Sequence, residues 1–212
     1  MSLALTPSFL KSRPLRIAAL TLALCAPFAQ AGATVLTFDD LPPTDPSKLE
    51  SGAIPNGYGN LSWSDAFQYV RGNTIPNSGY QKGLVSGEYV AFNSAGAEVS
   101  FGRMSGFELN SAYFTSAWYA DQEVTVRGYI GENREAAYTK VFHISNTAPL
   151  LVDFDWKGIS RVRITPTNAG FTRQLAIDNL TIDGRQTVPE PASLALALGG
   201  LALAAVARRR RG

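Results

Sequence analysis

The chain has 212 residues, one cysteine, one histidine and a formal net charge of +2. A lone cysteine builds no disulfide framework, and a lone histidine with it supplies no His/Cys metal-binding spacing. The positive charge is gathered at the two ends, and residues 32–187 carry twelve Lys and Arg against sixteen Asp and Glu, a net of −4. The basicity therefore does not describe a nucleic-acid surface, and no nucleic-acid partner is expected.

Residues 1–31 read as a secretory signal peptide. Lys11, Arg13 and Arg16 make the positive region, residues 17–28 an apolar stretch too short to span a bilayer comfortably, and Ala29-Gln30-Ala31 the small-x-small pattern, so cleavage is expected after Ala31. Cys25 raises a lipoprotein alternative, but Leu24 before it is too bulky for a usual lipidation box. Residues 32–187 then form one domain, long enough for a real core and without an internal repeat.

That domain reads as all-β. Strand-like runs fall at 34–38, 88–93, 97–101, 107–114, 123–130, 136–144, 150–156, 159–165 and 175–182. Residues 88–93 and 97–101 flank Ser94-Ala95-Gly96 as a hairpin. The alternation is clearest in 136–144, where Ala136, Tyr138, Lys140, Phe142 and Ile144 interleave with Ala137, Thr139, Val141 and His143. Short strands with Gly, Asn and Pro between them, and no amphipathic helix, predict a single β-sandwich, a jelly roll of roughly eight to ten strands. Residues 42–87, rich in Gly, Pro, Asn and Ser, read as long loops with short strand pieces at 61–63 and 67–70.

Two positions share a one-residue slip of phase. Leu36 and Phe38 alternate and the next apolar residue is Leu41, with Asp39-Asp40 between; Leu175 and Ile177 alternate before Leu180 and Ile182, with Asp178-Asn179 between. Such slips mark bulges. If first and last strands lie side by side, Asp39, Asp40, Asp178 and Asn179 can meet around a hard cation, and structural Ca²⁺ is the candidate. The alternative is that these side chains satisfy main-chain groups at the bulges.

Catalytic signals are few. His143 sits in mid-strand with no nucleophile implied nearby, and no nucleophile elbow or phosphate loop is present. A glycosidase needs only two carboxylates, so sixteen acids leave that reading open. Asp153 and Asp155 alternate with Phe154 and Trp156 as a half-exposed strand does. Aromatic rings give binding more support. Trp118-Tyr119 falls at an expected loop, and Tyr58, Trp63, Tyr69 and Tyr80 lie in the loop-rich segment. Trp118, Tyr119 and Trp63 are the candidates for stacking on sugar rings, with core packing as the alternative for each.

The end of the chain has three parts: Pro189-Glu190-Pro191, sixteen uncharged residues at 192–207 rich in Leu and Ala, and Arg208, Arg209, Arg210 and Arg211. As a helix the middle part reaches about 24 Å, a short membrane span with its arginines on the cytoplasmic side. This order resembles the PEP-CTERM sorting signal of Gram-negative bacteria. The resemblance implies a chain exported and held in the inner membrane by its tail, then processed by exosortase, a membrane protease. It also implies life alongside exopolysaccharide. Phe38-Asp39-Asp40-Leu41 and Ile177-Asp178-Asn179-Leu180 resemble many PEP-CTERM ectodomains and, more loosely, galactose-binding-like modules.

The expected organisation is a signal peptide over 1–31, a β-sandwich over 32–187 and a sorting signal over 188–212. The expected protein is a non-catalytic surface or matrix component that touches polysaccharide. A glycoside-active enzyme on the same scaffold and a purely structural matrix protein are the alternatives.

Overall fold

The computed structural model describes residues 32–41, 51–168 and 170–184. The leader with Ala29 and Ala31, and the tail with Pro189, Glu190, Pro191 and the four arginines, lie outside them. Ten strands are present: β1 (Thr34–Leu36), β2 (Ser51–Ala53), β3 (Ser62–Trp63), β4 (Phe67–Arg71), β5 (Tyr89–Asn93), β6 (Val99–Ser116), β7 (Gln122–Tyr129), β8 (Tyr138–Ile144), β9 (Leu150–Pro166) and β10 (Leu175–Ile182). The described helical structure is short, the longest piece being α1 (Gly79–Lys82). Every strand pairing is antiparallel.

The sheet runs β2-β4-β5-β10-β6-β9-β7-β8, with β1 on β10 and β3 on β6. It becomes a sandwich because its two longest strands turn together. Pairing of β6 with β9 slips between Gly102/Phe107, Phe107/Leu109 and Leu109/Ser111. Gly106 and Gly158, facing each other across this region, have φ of 80° and 65°, and Asp155 lies at 51°. Bulges of this kind bend and twist a strand. Before the bend β6 pairs with β3, and after it with β10. The far half of β9 carries the β7–β8 hairpin, which folds back over the near half. Tyr138 of β8 stacks on Trp156 of β9 at 5.3 Å, and Phe142 meets Phe114 edge-on at 5.0 Å.

Alternation places the core as expected on β8, where Tyr138, Lys140 and Phe142 are less exposed than Thr139, Val141 and His143. The expected hairpin between 88–93 and 97–101 does not form. Strand β10 lies between β5 and β6, and Ser94–Gly96 is a 3-10 turn carrying the chain past it. Asn93 secures that insertion: its Oδ1 accepts the Leu175 N–H at 2.7 Å and its Nδ2 donates to the Ala97 carbonyl at 2.9 Å. The runs 97–101 and 107–114, expected as two strands, are one bent strand, as are 150–156 and 159–165.

Trp63, expected among the sugar-stacking rings, is a core residue instead, only 5 % exposed. Pairing of β3 with β6 turns it inward, stacked on Phe101 at 5.2 Å and edge-on to Phe67 at 5.1 Å. Its indole N–H donates to the Tyr58 carbonyl at 3.0 Å. Trp63→Ala is expected to lower unfolding free energy by about 3–5 kcal/mol, read by chemical denaturation. Trp63→Phe, which keeps a ring but loses the N–H, should cost less than half of that.

Candidate functional site

The slip at Asp178-Asn179 folds as a bulge in β10, while the slip at Asp39-Asp40 falls past the end of β1 in a turn closed by the Leu41 N–H on the Phe38 carbonyl at 3.3 Å; the first and last strands do lie side by side, with Thr34 opposite Ile182 and Leu36 opposite Leu180. Phe38 and Asn179 both take positive φ, 65° and 48°. Buried Asp178 accepts the Val85 and Ser86 N–H groups on Oδ2 at 2.7 and 3.0 Å, and the Asn179 N–H on Oδ1 at 2.7 Å. Oδ1 of Asn179 accepts from the Ser86 hydroxyl at 2.7 Å. Asp39 Oδ1 accepts the Glu88 and Tyr89 N–H groups at 2.7 and 3.1 Å. Both carboxylates thus converge on residues 85–89.

Gly87 lets Asp39 come this close. Its φ is 54°, and a Cβ there would sit 2.0 Å from the Asp39 carboxylate. Asp40 turns elsewhere and accepts from the Tyr58 hydroxyl at 2.7 Å. Two of the four residues expected to share a cation, Asp39 and Asp178, therefore hold main-chain N–H groups on their carboxylates, and Asn179 joins them through the Ser86 hydroxyl. Among the described residues no three His, Cys, Asp or Glu side chains gather as metal ligands. The arrangement matches the alternative reading in that Asp39 and Asp178 satisfy main-chain groups, at a turn and at a bulge respectively.

At the end of the sandwich where β10 begins, a second group of side chains faces outward. Trp118 follows β6 and is 44 % exposed; its indole N–H donates to Gln174 Oε1 at 3.0 Å, and the buried Tyr80 ring supports it edge-on at 5.7 Å. Tyr119 bonds Thr172 through its hydroxyl at 2.8 Å, and the Arg173 guanidinium covers its ring at 4.1 Å. The same 170–174 turn carries Phe171, 78 % exposed. Asn146 joins from the β8–β9 connection, donating to the Trp118 carbonyl at 3.0 Å.

Buried polar groups hold this rim in place. Gln122 accepts from the Ser116 hydroxyl at 2.9 Å and donates to the Arg173 carbonyl at 3.2 Å. Phe171 escapes a sequence reading because it stands alone in a turn outside any alternating run. His143, a strand-face residue as expected, lies on the exposed side of β8 with its Nδ1 2.7 Å from Asp121 and its Nε2 3.6 Å from Glu123. Asp153 and Asp155 are both exposed on β9.

The chain is an all-β protein with a β-sandwich fold that carries a C-terminal sorting motif. Residues 187–211 match the family model described as the PEP-CTERM protein-sorting motif. The motif marks an exported chain, anchored at its C terminus before processing by exosortase, a membrane protein. Among the described residues no helix is long and apolar enough to cross a membrane, and the apolar segment 192–207 lies outside them.

No curated protein matches the chain significantly. Solved structures with a similar course include a family 16 carbohydrate-binding module (12 % identity, TM-score 0.33, 57 % of this chain and 89 % of that one). Another is TmCBM61 in complex with β-1,4-galactotriose (11 %, 0.34, 59 % and 88 %). A third is a cleaved adhesin domain of Lys-gingipain from Porphyromonas gingivalis (12 %, 0.42, 72 % and 98 %). At these identities and TM-scores the likenesses say nothing of what this chain binds.

Burial pushes the Asp178 carboxyl up to about 6, against its three N–H bonds, and the nearby Asp39 charge adds to the rise. The folded chain therefore holds a proton that the unfolded chain releases between pH ~4 and ~6. Stability carried by that proton is complete below pH ~4 and is lost as pH rises through ~6. Thermal unfolding should show a melting temperature that falls across this window more steeply than in Asp178→Asn. Equal slopes in the two chains would remove Asp178 as the source.

Proposed function

We propose that this chain is an exported, non-catalytic surface or matrix protein that associates with exopolysaccharide and holds it at the Trp118 rim. The observation that carries this reading is an exposed indole and an exposed phenyl ring on one rim, next to bonded amides. An apolar ring face in water is unfavourable to expose and favourable to cover with the C–H face of a sugar. Gln174, Asn146 and Thr172 lie within hydrogen-bond distance of rim atoms and offer polar atoms to hydroxyls. Trp118 is held from behind by Gln174 and Tyr80, so it loses little side-chain freedom on binding. The sorting motif supports delivery to the compartment where such polymers lie.

The test is a glycan array probed with the full chain in detergent. Saturable binding to one sugar family is expected. Trp118→Ala and Phe171→Ala should each weaken it about tenfold, equivalent to ~1.4 kcal/mol of ring contact. Undiminished retention in both variants would overturn the rim as the binding surface, and cleavage of a bound oligosaccharide would reassign the chain to glycoside chemistry.

A further inference from the structure

On the outer face of β7 and β9, alternation that buries Val124, Val126, Val162 and Ile164 turns Arg127, Tyr129, Arg161 and Arg163 outward. The register sets Arg127 opposite Arg163 and Tyr129 opposite Arg161. Like charges directly opposite on neighbouring strands are destabilising. Arg134 adds a further cation from the β7–β8 connection, yet residues 32–187 are acidic in sum. Of these four arginines only Arg163 has an ion-pair partner among the described residues, Glu98 at 3.4 Å. Arg161 Nε is buried and has no hydrogen-bond partner among the described residues. A cluster kept at this cost, with four cations against Glu98 and Glu132, keeps an excess of positive charge suited to an anion from outside.

The geometry is prepared for one. Tyr129 lies buried beneath the arginines, with the Arg161 guanidinium 4.6 Å and the Arg163 guanidinium 5.6 Å from its ring centre. Cation–π contact fixes both planar groups in advance of binding. Tyr129, Glu132, Arg134, Arg161 and Arg163 line a concavity of about 410 Å³. That volume is within the range of small-ligand sites. A guanidinium fork matches a planar carboxylate in two parallel hydrogen bonds. Glu132 on the wall accepts from hydroxyls and repels a dianion.

We infer that this concavity binds the carboxylate of an acidic sugar, the uronate unit of an anionic polysaccharide, with Arg134 and Arg161 as the carboxylate ligands. It is a separate site from the Trp118 rim and stands independently of it.

The test is calorimetric titration of the full chain in detergent with trigalacturonate, its methyl ester and inorganic phosphate. Trigalacturonate should bind and weaken with added salt, the methyl ester should bind at least tenfold less tightly, and phosphate should compete poorly. Arg134→Gln, at an exposed connection that the core does not use, should lower trigalacturonate affinity at least fivefold, and Arg161→Gln more. Trp118→Ala should leave this titration unchanged, so loss of rim binding and loss of uronate binding are read apart. Equal affinity for the acid and its ester, absence of binding, tighter binding of phosphate, or an unaltered Arg134→Gln would each overturn the assignment.

Discussion

Ten antiparallel strands bury a common core only because β6 and β9 bend at the same place. A flat sheet of this length leaves one face to water. Slipped register from Gly102 to Ser111, with positive φ at Gly106, Asp155 and Gly158, turns both strands together, so the β7–β8 hairpin closes over Phe114, Phe154 and Trp156. The aromatic packing, the position of the rim and the outward face of arginines all follow from that shared turn. A side chain at Gly102 would meet the Ser160 carbonyl at 2.2 Å, so the partner strand presses hard against this point.

A second constraint acts at longer range in the sequence. Asp39 and Asp178 come from opposite ends of the domain and both accept N–H groups of residues 85–89. The segment they hold has no strand partner of its own until β5 begins, so its main chain is satisfied by side chains. Burial at this junction is the main cause that raises the Asp178 carboxyl, and the nearby Asp39 charge adds to it.

What the sequence makes legible is local. Alternation in 136–144 and the slips at Asp39-Asp40 and Asp178-Asn179 are visible because each depends on a few neighbouring residues. The Ser94–Gly96 hairpin was misleading because its short spacing favours one, while β10, some eighty residues further on, supplies the actual partner. The strand piece at 61–63 is too short to show which way Trp63 faces within a loop-rich segment, and its inward side is decided by β6. The arginines of β7 and β9 occupy outward positions that read as ordinary solvated faces, and only the register brings them together. Trp118 was legible as a ring outside a clean strand, but its companion Phe171 was not.

The pairing of β1 with β10 gives the domain a near end and a far end. Thr34 and Ile182 are neighbours, so both connections to the rest of the chain leave from one side. Strand β10 has eight residues, a reach of about 25 Å, and the Trp118 rim stands where it starts. Arg103, next to the Gly102 that faces Arg161 across the strands, is bonded to Asp183 just past the other end. The rim and the two chain ends thus lie at opposite ends of β10, so a polymer held at the rim stays about a strand length away from whatever those ends are joined to.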